Sequence, residues 1–165
     1  MELFERDFDD LKAGLPFKTR ARTVTEADVV GFATLTGDLH PQHVDAAWAA
    51  QSPFGARIAH GMLVLSYAVG LVPLDPERVI ALRRVRDVVF KRPVALGDTI
   101  HVEGEVEGVT PLDDRTGLVV CTWHIKNQSA RLVARATVEV LWRRGAAPEA
   151  STNGAGVLDS LPLTM

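Results

Sequence analysis

The longest stretch without a formal charge runs from Ile58 to Leu74, and within it HGMLVLSYAVGLVPL, residues 60–74, is apolar nearly all the way round a helical wheel. A helix of that composition must be enclosed on most sides. The stretch is 17 residues long and contains His60, Ser66, Tyr67 and Pro73. It therefore reads as a buried helix of a globular core and not as a membrane span. The rest of the chain has to supply something that wraps around it.

Downstream the period changes from helical to two. Val79–Phe90 is a basic-apolar strand, 99–109 carries Ile100, Val102 and Val106 on one face, and 118–126 is rich in β-branched residues. The segment 132–142 alternates, with Leu132, Ala134, Ala136, Val138, Val140 and Trp142 on one side and Arg135, Thr137 and Glu139 on the other. Turn signals stand between these runs at Pro93 with Gly97-Asp98, at 111–117 and at 127–129. An enclosed helix followed by four antiparallel strands is an α+β pattern, in which the sheet turns its apolar face onto the helix.

Upstream, Phe4, Phe8 and Leu11 suggest a packed lead-in, then a strand over 17–24. Thr25 followed by Glu26 and Asp28 has the form of a helix N-cap with acids in the first turn, and Gly37 ends that helix. Its buried face is expected to hold Val29, Phe32, Ala33 and Leu35. A short helix over 46–51 follows Asp45.

A chain of 165 residues points to one domain, here 1–144, with a flexible tail over 145–165 that turns to Ala, Gly, Pro, Ser and Thr. Val157, Leu158, Leu161 and Leu163 are the tail's docking candidates. A net charge of −3 argues against nucleic acid as a partner. The lone Cys121 forms no internal disulfide, and the acidic N-terminus shows no apolar signal core. A cytoplasmic protein without membrane association is expected.

The densest reactive cluster is TGDLHPQHVD, which places Asp38, His40, His43 and Asp45 within eight residues around Pro41. An Asp and a His five apart on a Gly/Pro-punctuated loop can face one point, which is the equipment for general acid–base work on a water. A solvated turn whose Asp caps the next helix accounts for the same spacing. FGARIAHGM, residues 54–62, then runs into the enclosed helix, whose first free N–H groups at Gly61 would favour an anion or a developing oxyanion. The alternative is that Gly61 only starts a tightly packed helix.

These two motifs in this order, followed by FKRPVALGDTI over 90–100, resemble the MaoC-like dehydratases and (R)-specific enoyl-CoA hydratases. The resemblance spans about 24–142. It implies a single hotdog domain, a curved antiparallel sheet wrapped around a long central helix. It also implies reversible hydration of a trans-2-enoyl thioester to a 3-hydroxyacyl thioester. Asp38 and His43 match the catalytic pair that handles the water, and the Gly61 N–H matches the oxyanion donor. His40, Phe54, His60 and Met62 are implied to contact substrate. His40 stands where the family has Asn, and Val69 stands where some (R)-hydratases have a serine, the nearest hydroxyls being Ser66 and Tyr67.

Among the five cations of 83–92, Arg84 and Arg86 are candidates for the phosphates of coenzyme A, a solvated strand face or oligomer rim being the other reading. On regular alternation they share a face with Leu82 and Val88, while Arg83 and Lys91 fall with Val85 and Val89. No metal and no separate cofactor is expected, coenzyme A or an acyl carrier protein entering as part of the substrate. An open sheet edge and a half-built site lead to an expected homodimer or larger homo-oligomer. A hotdog thioesterase and a non-catalytic hotdog partner subunit are the alternative functions.

Overall fold

In the computed structural model, which describes residues 3–145, two 3₁₀ turns (Leu3–Glu5 and Phe8–Asp10) precede β1 (Pro16–Lys18), β2 (Arg22–Thr23) and α1 (Glu26–Thr36). There follow α2 (Pro41–Val44), α3 (Ala46–Ala50), α4 (Gly61–Leu71), β3 (Val79–Phe90), β4 (Thr99–Pro111), β5 (Thr116–Asn127) and β6 (Leu132–Arg143). The tail over 146–165, with its docking candidates, lies outside the described residues.

The sheet order is β1-β4-β5-β6-β3, antiparallel, with β2 also on β4. The three long hairpin strands come from the β-branched runs, and their turns are closed by side chains. Asp113 Oδ1 accepts from the N–H groups of Arg115 and Thr116, and Asn127 Oδ1 accepts from those of Ser129 and Arg131. Register sets the core: Val106 opposes Cys121, which opposes Val138, and Trp123 opposes Ala136, all on one face. Against that face α4 buries Leu63, Val64, Leu65, Ala68 and Leu71, leaving only the stripe Met62, Ser66 and Gly70 exposed. The helix is thus enclosed as its composition requires, and the arrangement is the hotdog one.

The lead-in is packed: Phe4 lies between Phe17 (5.1 Å, edge-on) and Trp142 (5.8 Å, stacked), and Trp142 Nε1 donates to the Arg6 carbonyl at 3.1 Å. Aromatic pairs of this kind add about 0.5–1.5 kcal/mol beyond burial.

Several elements depart from the sequence pattern. The strand over 17–24 is broken in two, because three residues between Lys18 and Arg22 face two between Ile100 and Glu103. At this bulge Thr19 Oγ1 accepts from the Val102 N–H in place of backbone. Leu35 is 83% exposed and not on the buried face of α1. It lies six residues from Val29, off the 3.6-residue stripe that buries Val29 and Ala33. The capping box of Thr25 and Asp28 and the left-handed Gly37 (φ 77°) form as expected.

Edge strand β3 also loses its regular alternation. Irregularities at Arg83 and at Asp87–Val88 put Leu82 opposite Val140 and Val85 opposite Val138, and Asp87 takes φ 54°. Val85 packs against the core, whereas Leu82 stays 40% exposed at the sheet edge. Arg84 and Arg86 pair on the other face with Glu139 and Thr137, so Leu82 does not share their side as a regular strand would require. Among the described residues nothing pairs with the outer edge of β3.

Candidate active site

The helix α1 stops at Gly37, and the chain turns through Asp38 and Leu39 into α2. The reactive stretch is not a plain loop. Pro41, with φ preset and no N–H to lose, opens a single helical turn, and His40 takes the N-cap, its Nδ1 accepting from the Gln42 N–H at 3.2 Å. That is the task an Asn side-chain oxygen performs, so His40 replaces Asn as a cap. Its ring leans edge-on against Trp48 at 5.6 Å, and it is exposed outside the cleft described below. Asp45 then caps α3 by accepting from the Trp48 N–H at 2.9 Å.

The single turn carries His43 inward, where it is 4% exposed. Its Nδ1 lies 2.7 Å from the Ile58 carbonyl oxygen. A carbonyl can only accept, so Nδ1 bears the hydrogen and the lone pair of the neutral ring is on Nε2. Nε2 in turn lies 3.0 Å from the Gln42 side-chain amide nitrogen. Burial first, and then the neighbouring imidazoles, hold the His43 pKa below the ordinary value of 6.5 against the opposing effects of the Ile58 bond and Asp38. The ring is therefore a neutral base at pH 7.

His60 closes the arrangement from the start of α4. It is 2% exposed, its Nε2–H donates to the Asp38 carbonyl at 3.0 Å, and its ring stacks on His43 at 3.8 Å. The Asp38 carboxylate itself is half exposed, its Oδ2 4.0 Å from His60 Nε2. Ile58 bridges to Ala95, and the Ala59 N–H donates to the Val94 carbonyl at 2.8 Å. The two segments that carry His43 and His60 are thus pinned to the connection between β3 and β4.

At the N-cap His60 makes no side-chain bond to the first turn of α4, so those N–H groups remain available to a ligand. Gly61 leaves room there for an aromatic ring. A Cβ would meet the Phe90 ring at 2.9 Å, because Phe90 lies directly over the helix start.

Asp38, Gln42, His43, His60 and Gly61 border one cleft of about 480 Å³. Phe54, Met62, Phe90, Pro93, Val94 and Val133 supply apolar walls, and Lys91 and Arg92 add cations. Of the candidates read from sequence, the structure brings together Asp38, His43, Phe54, His60, Gly61 and Met62. His60 enters as a buried floor.

Arg84 and Arg86 are not brought to the cleft. With Arg83 they surround the buried Glu139 carboxylate at 3.8, 3.4 and 2.9 Å respectively. Ser66 and Tyr67 also stay away: Ser66 donates to the Met62 carbonyl, and the Tyr67 hydroxyl accepts from Arg22. Gln42 was not singled out by sequence, although a polar side chain between Pro41 and His43 was the available signal. Cys121 is buried, which pushes its thiol up to about 12 and leaves it inert as a nucleophile.

Ligand atoms of Asp38, His43 and His60 also lie within 4.8 Å of one another. Within this group His60 Nε2 is committed to the Asp38 carbonyl and His43 Nδ1 to the Ile58 carbonyl.

The MaoC like domain family model matches residues 10–128. The chain is 34% identical over 152 residues to the 3-hydroxybutyryl-CoA dehydratase of Methylorubrum extorquens, covering 90% of this chain and 93% of that one. It is 34% identical over 104 residues to the (R)-specific enoyl-CoA hydratase of Rhodospirillum rubrum, covering 63% and 72%. Among solved structures it is similar to the monoamine oxidase regulatory protein from Archaeoglobus fulgius, with a TM-score of 0.79, 39% identity and coverage of 85% and 95%. No helix among the described residues is long and apolar enough to cross a membrane.

Proposed function

Because the chain belongs to the MaoC-like domain family, we propose that it is a hydro-lyase that adds water reversibly across the double bond of a trans-2-enoyl thioester. One observation carries this reading: the His43 Nε2 lone pair and the Asp38 carboxylate border the same cleft as the uncapped first turn of α4. Asp38 and His43 hold one water. As the water O–H bond breaks, its proton passes to the pair, hydroxide adds at C3, and the electron pair of the double bond moves through C2 to the thioester oxygen. The Gly61 N–H, at the positive end of α4, receives that enolate oxygen. The pair then returns the proton to C2, so one water is consumed and nothing else is needed.

On this reading no metal or separate cofactor takes part, and coenzyme A or a carrier protein enters with the substrate. Lys91 and Arg92, which line the cleft as Arg84 and Arg86 do not, would on this reading meet its phosphates. The unpaired edge of β3 and the exposed stripe of α4 favour a homodimer built across them.

The test is to mix purified protein with crotonyl-CoA and longer enoyl-CoAs, following enoyl absorbance in one cuvette and free thiol in another. Loss of absorbance without thiol release supports the hydratase. Thiol release would replace it with a thioesterase, and silence in both would favour a partner subunit without activity of its own.

A further inference from the structure

We infer that Gln42 is a positioning residue whose side-chain amide turns over with the proton on His43, donating to Nε2 when the ring is neutral and accepting from it through Oε1 when the ring is charged. The starting state is set by the Ile58 carbonyl, which holds the hydrogen on Nδ1 and leaves Nε2 as an acceptor. A group 3.0 Å from that lone pair must donate, so it is the Gln42 NH₂ that faces it. For His43 to take the proton of a water, that water must first displace the NH₂ from the one lone pair of Nε2; once Nε2 is a donor, the same NH₂ would oppose it. A half-turn of the amide replaces NH₂ by the carbonyl oxygen at the same distance and satisfies the new N–H.

Gln42 is built for such a turn. Its backbone is fixed at both ends, the N–H on His40 Nδ1 (3.2 Å) and the carbonyl on the Ile58 N–H (3.1 Å). Its side chain is half-buried on the cleft wall, with no bonded partner but His43 among the described residues.

Among the described residues, no other charged or titratable neighbour serves both states. Ionised Asp38 only accepts, and Lys91 and Arg92 on the same cleft only donate. His60 offers His43 the face of its ring and commits Nε2 to Asp38, while His40 commits Nδ1 to the Gln42 backbone. An unpaired buried N–H is expensive, so the amide is what makes the charged ring tolerable during turnover.

The kinetic consequence rests on the acid–base reading of Asp38 and His43, but the titration does not. The experiment is nitrogen NMR of His43 against pH in the wild-type protein, Gln42→Met and Gln42→Glu, with kcat and KM for crotonyl-CoA over the same pH range. Met matches Gln in length but offers neither amide donor nor carbonyl acceptor. His43 in Gln42→Met should titrate about one unit lower than in the wild type, and in Gln42→Glu higher. The kcat of Gln42→Met should fall about tenfold with KM within about twofold, which a purely structural contact would not produce.

A His43 titration unchanged or raised in Gln42→Met would overturn the inference, since it would make the amide a fixed donor or a bystander. A wild-type protein that hydrates no enoyl thioester would sink the proposed function and leave the titration to decide on Gln42.

Discussion

The imidazoles of His43 and His60 lie face to face, 3.8 Å between ring centroids and 26° from parallel, although 17 residues separate them in the chain. Burial and its imidazole neighbours disfavour a charge on His43, and each ring spends one nitrogen on a backbone carbonyl, His43 on Ile58 and His60 on Asp38. The stack therefore fixes tautomer and orientation together. It ties the single turn of α2 to the start of α4, and so ties the base to the helix terminus that would receive the enolate.

Asp38→Asn and His43→Gln should each lower kcat by about 10²–10⁴ while KM changes little. Asp38 is half exposed, so its variant should melt at the wild-type temperature, and steady-state kinetics with a thermal scan would check both statements.

Gly61→Pro removes the N–H of the first residue of α4 where the helix backbone accepts proline, although its ring, like any Cβ there, meets Phe90. It should cost about 10²–10³ in kcat. Gly61→Ala adds the Cβ that meets Phe90 but keeps the N–H, so it reports the steric part alone, and adding Phe90→Ala should relieve it.

The acid limb of the pH–rate profile should fall below pH 6.5, because burial holds the His43 pKa below that value. The same depression affects stability. The unfolded chain binds this proton more readily than the folded one, so stability is fully present above about pH 6.5 and declines as pH drops below it. Chemical denaturation across that window, with His43→Gln as the control that flattens the slope, would measure it.

Lys91→Ala should raise KM for an enoyl-CoA several-fold, leave kcat unchanged, and have no effect on the phosphate-free pantetheine analogue. Arg84→Ala should leave KM unchanged, since Arg84 lies with Glu139 outside the cleft. The pair of substrates separates phosphate binding from folding.

Thr25→Ala breaks the capping box of α1 and should destabilise the protein by about 0.5–2 kcal/mol without altering kcat. Asp28, the other half of the box, is pushed upward by burial. It is nevertheless held at about 2 by hydrogen bonds from Tyr67 and Thr25 and by the charge of Arg22. Its contribution should be present above about pH 3.8 and fade as pH falls towards 2.

Much of this was legible in the chain. The uncharged run around Leu65 demands enclosure, the alternation of 132–142 supplies a sheet face, and Thr25 with Gly37 brackets α1 at the right residues. What failed did so for local reasons. Alternation cannot foresee an extra residue in an edge strand, so the bulges of β3 misassigned the face of Leu82. Composition could not tell that Arg84 and Arg86 neutralise a buried Glu139, because that pairing depends on register with a strand position 55 and 53 residues further along the chain. At the site, spacing pointed to Asp38 and His43, and the fold brings both to one cleft. It could not show that His40 is a cap, that His60 is a stacked floor, or that Gln42 faces the base, since each role needs the turn that Pro41 opens.

The most direct measurement is to run the reaction on crotonyl-CoA in water enriched in the heavy oxygen isotope and locate the label by mass spectrometry. A hydratase places one labelled oxygen on C3 of an intact 3-hydroxyacyl thioester, and Asp38→Asn places none. Label in a released carboxylate, with C3 unlabelled, would contradict it and assign the water of this cleft to the thioester carbonyl.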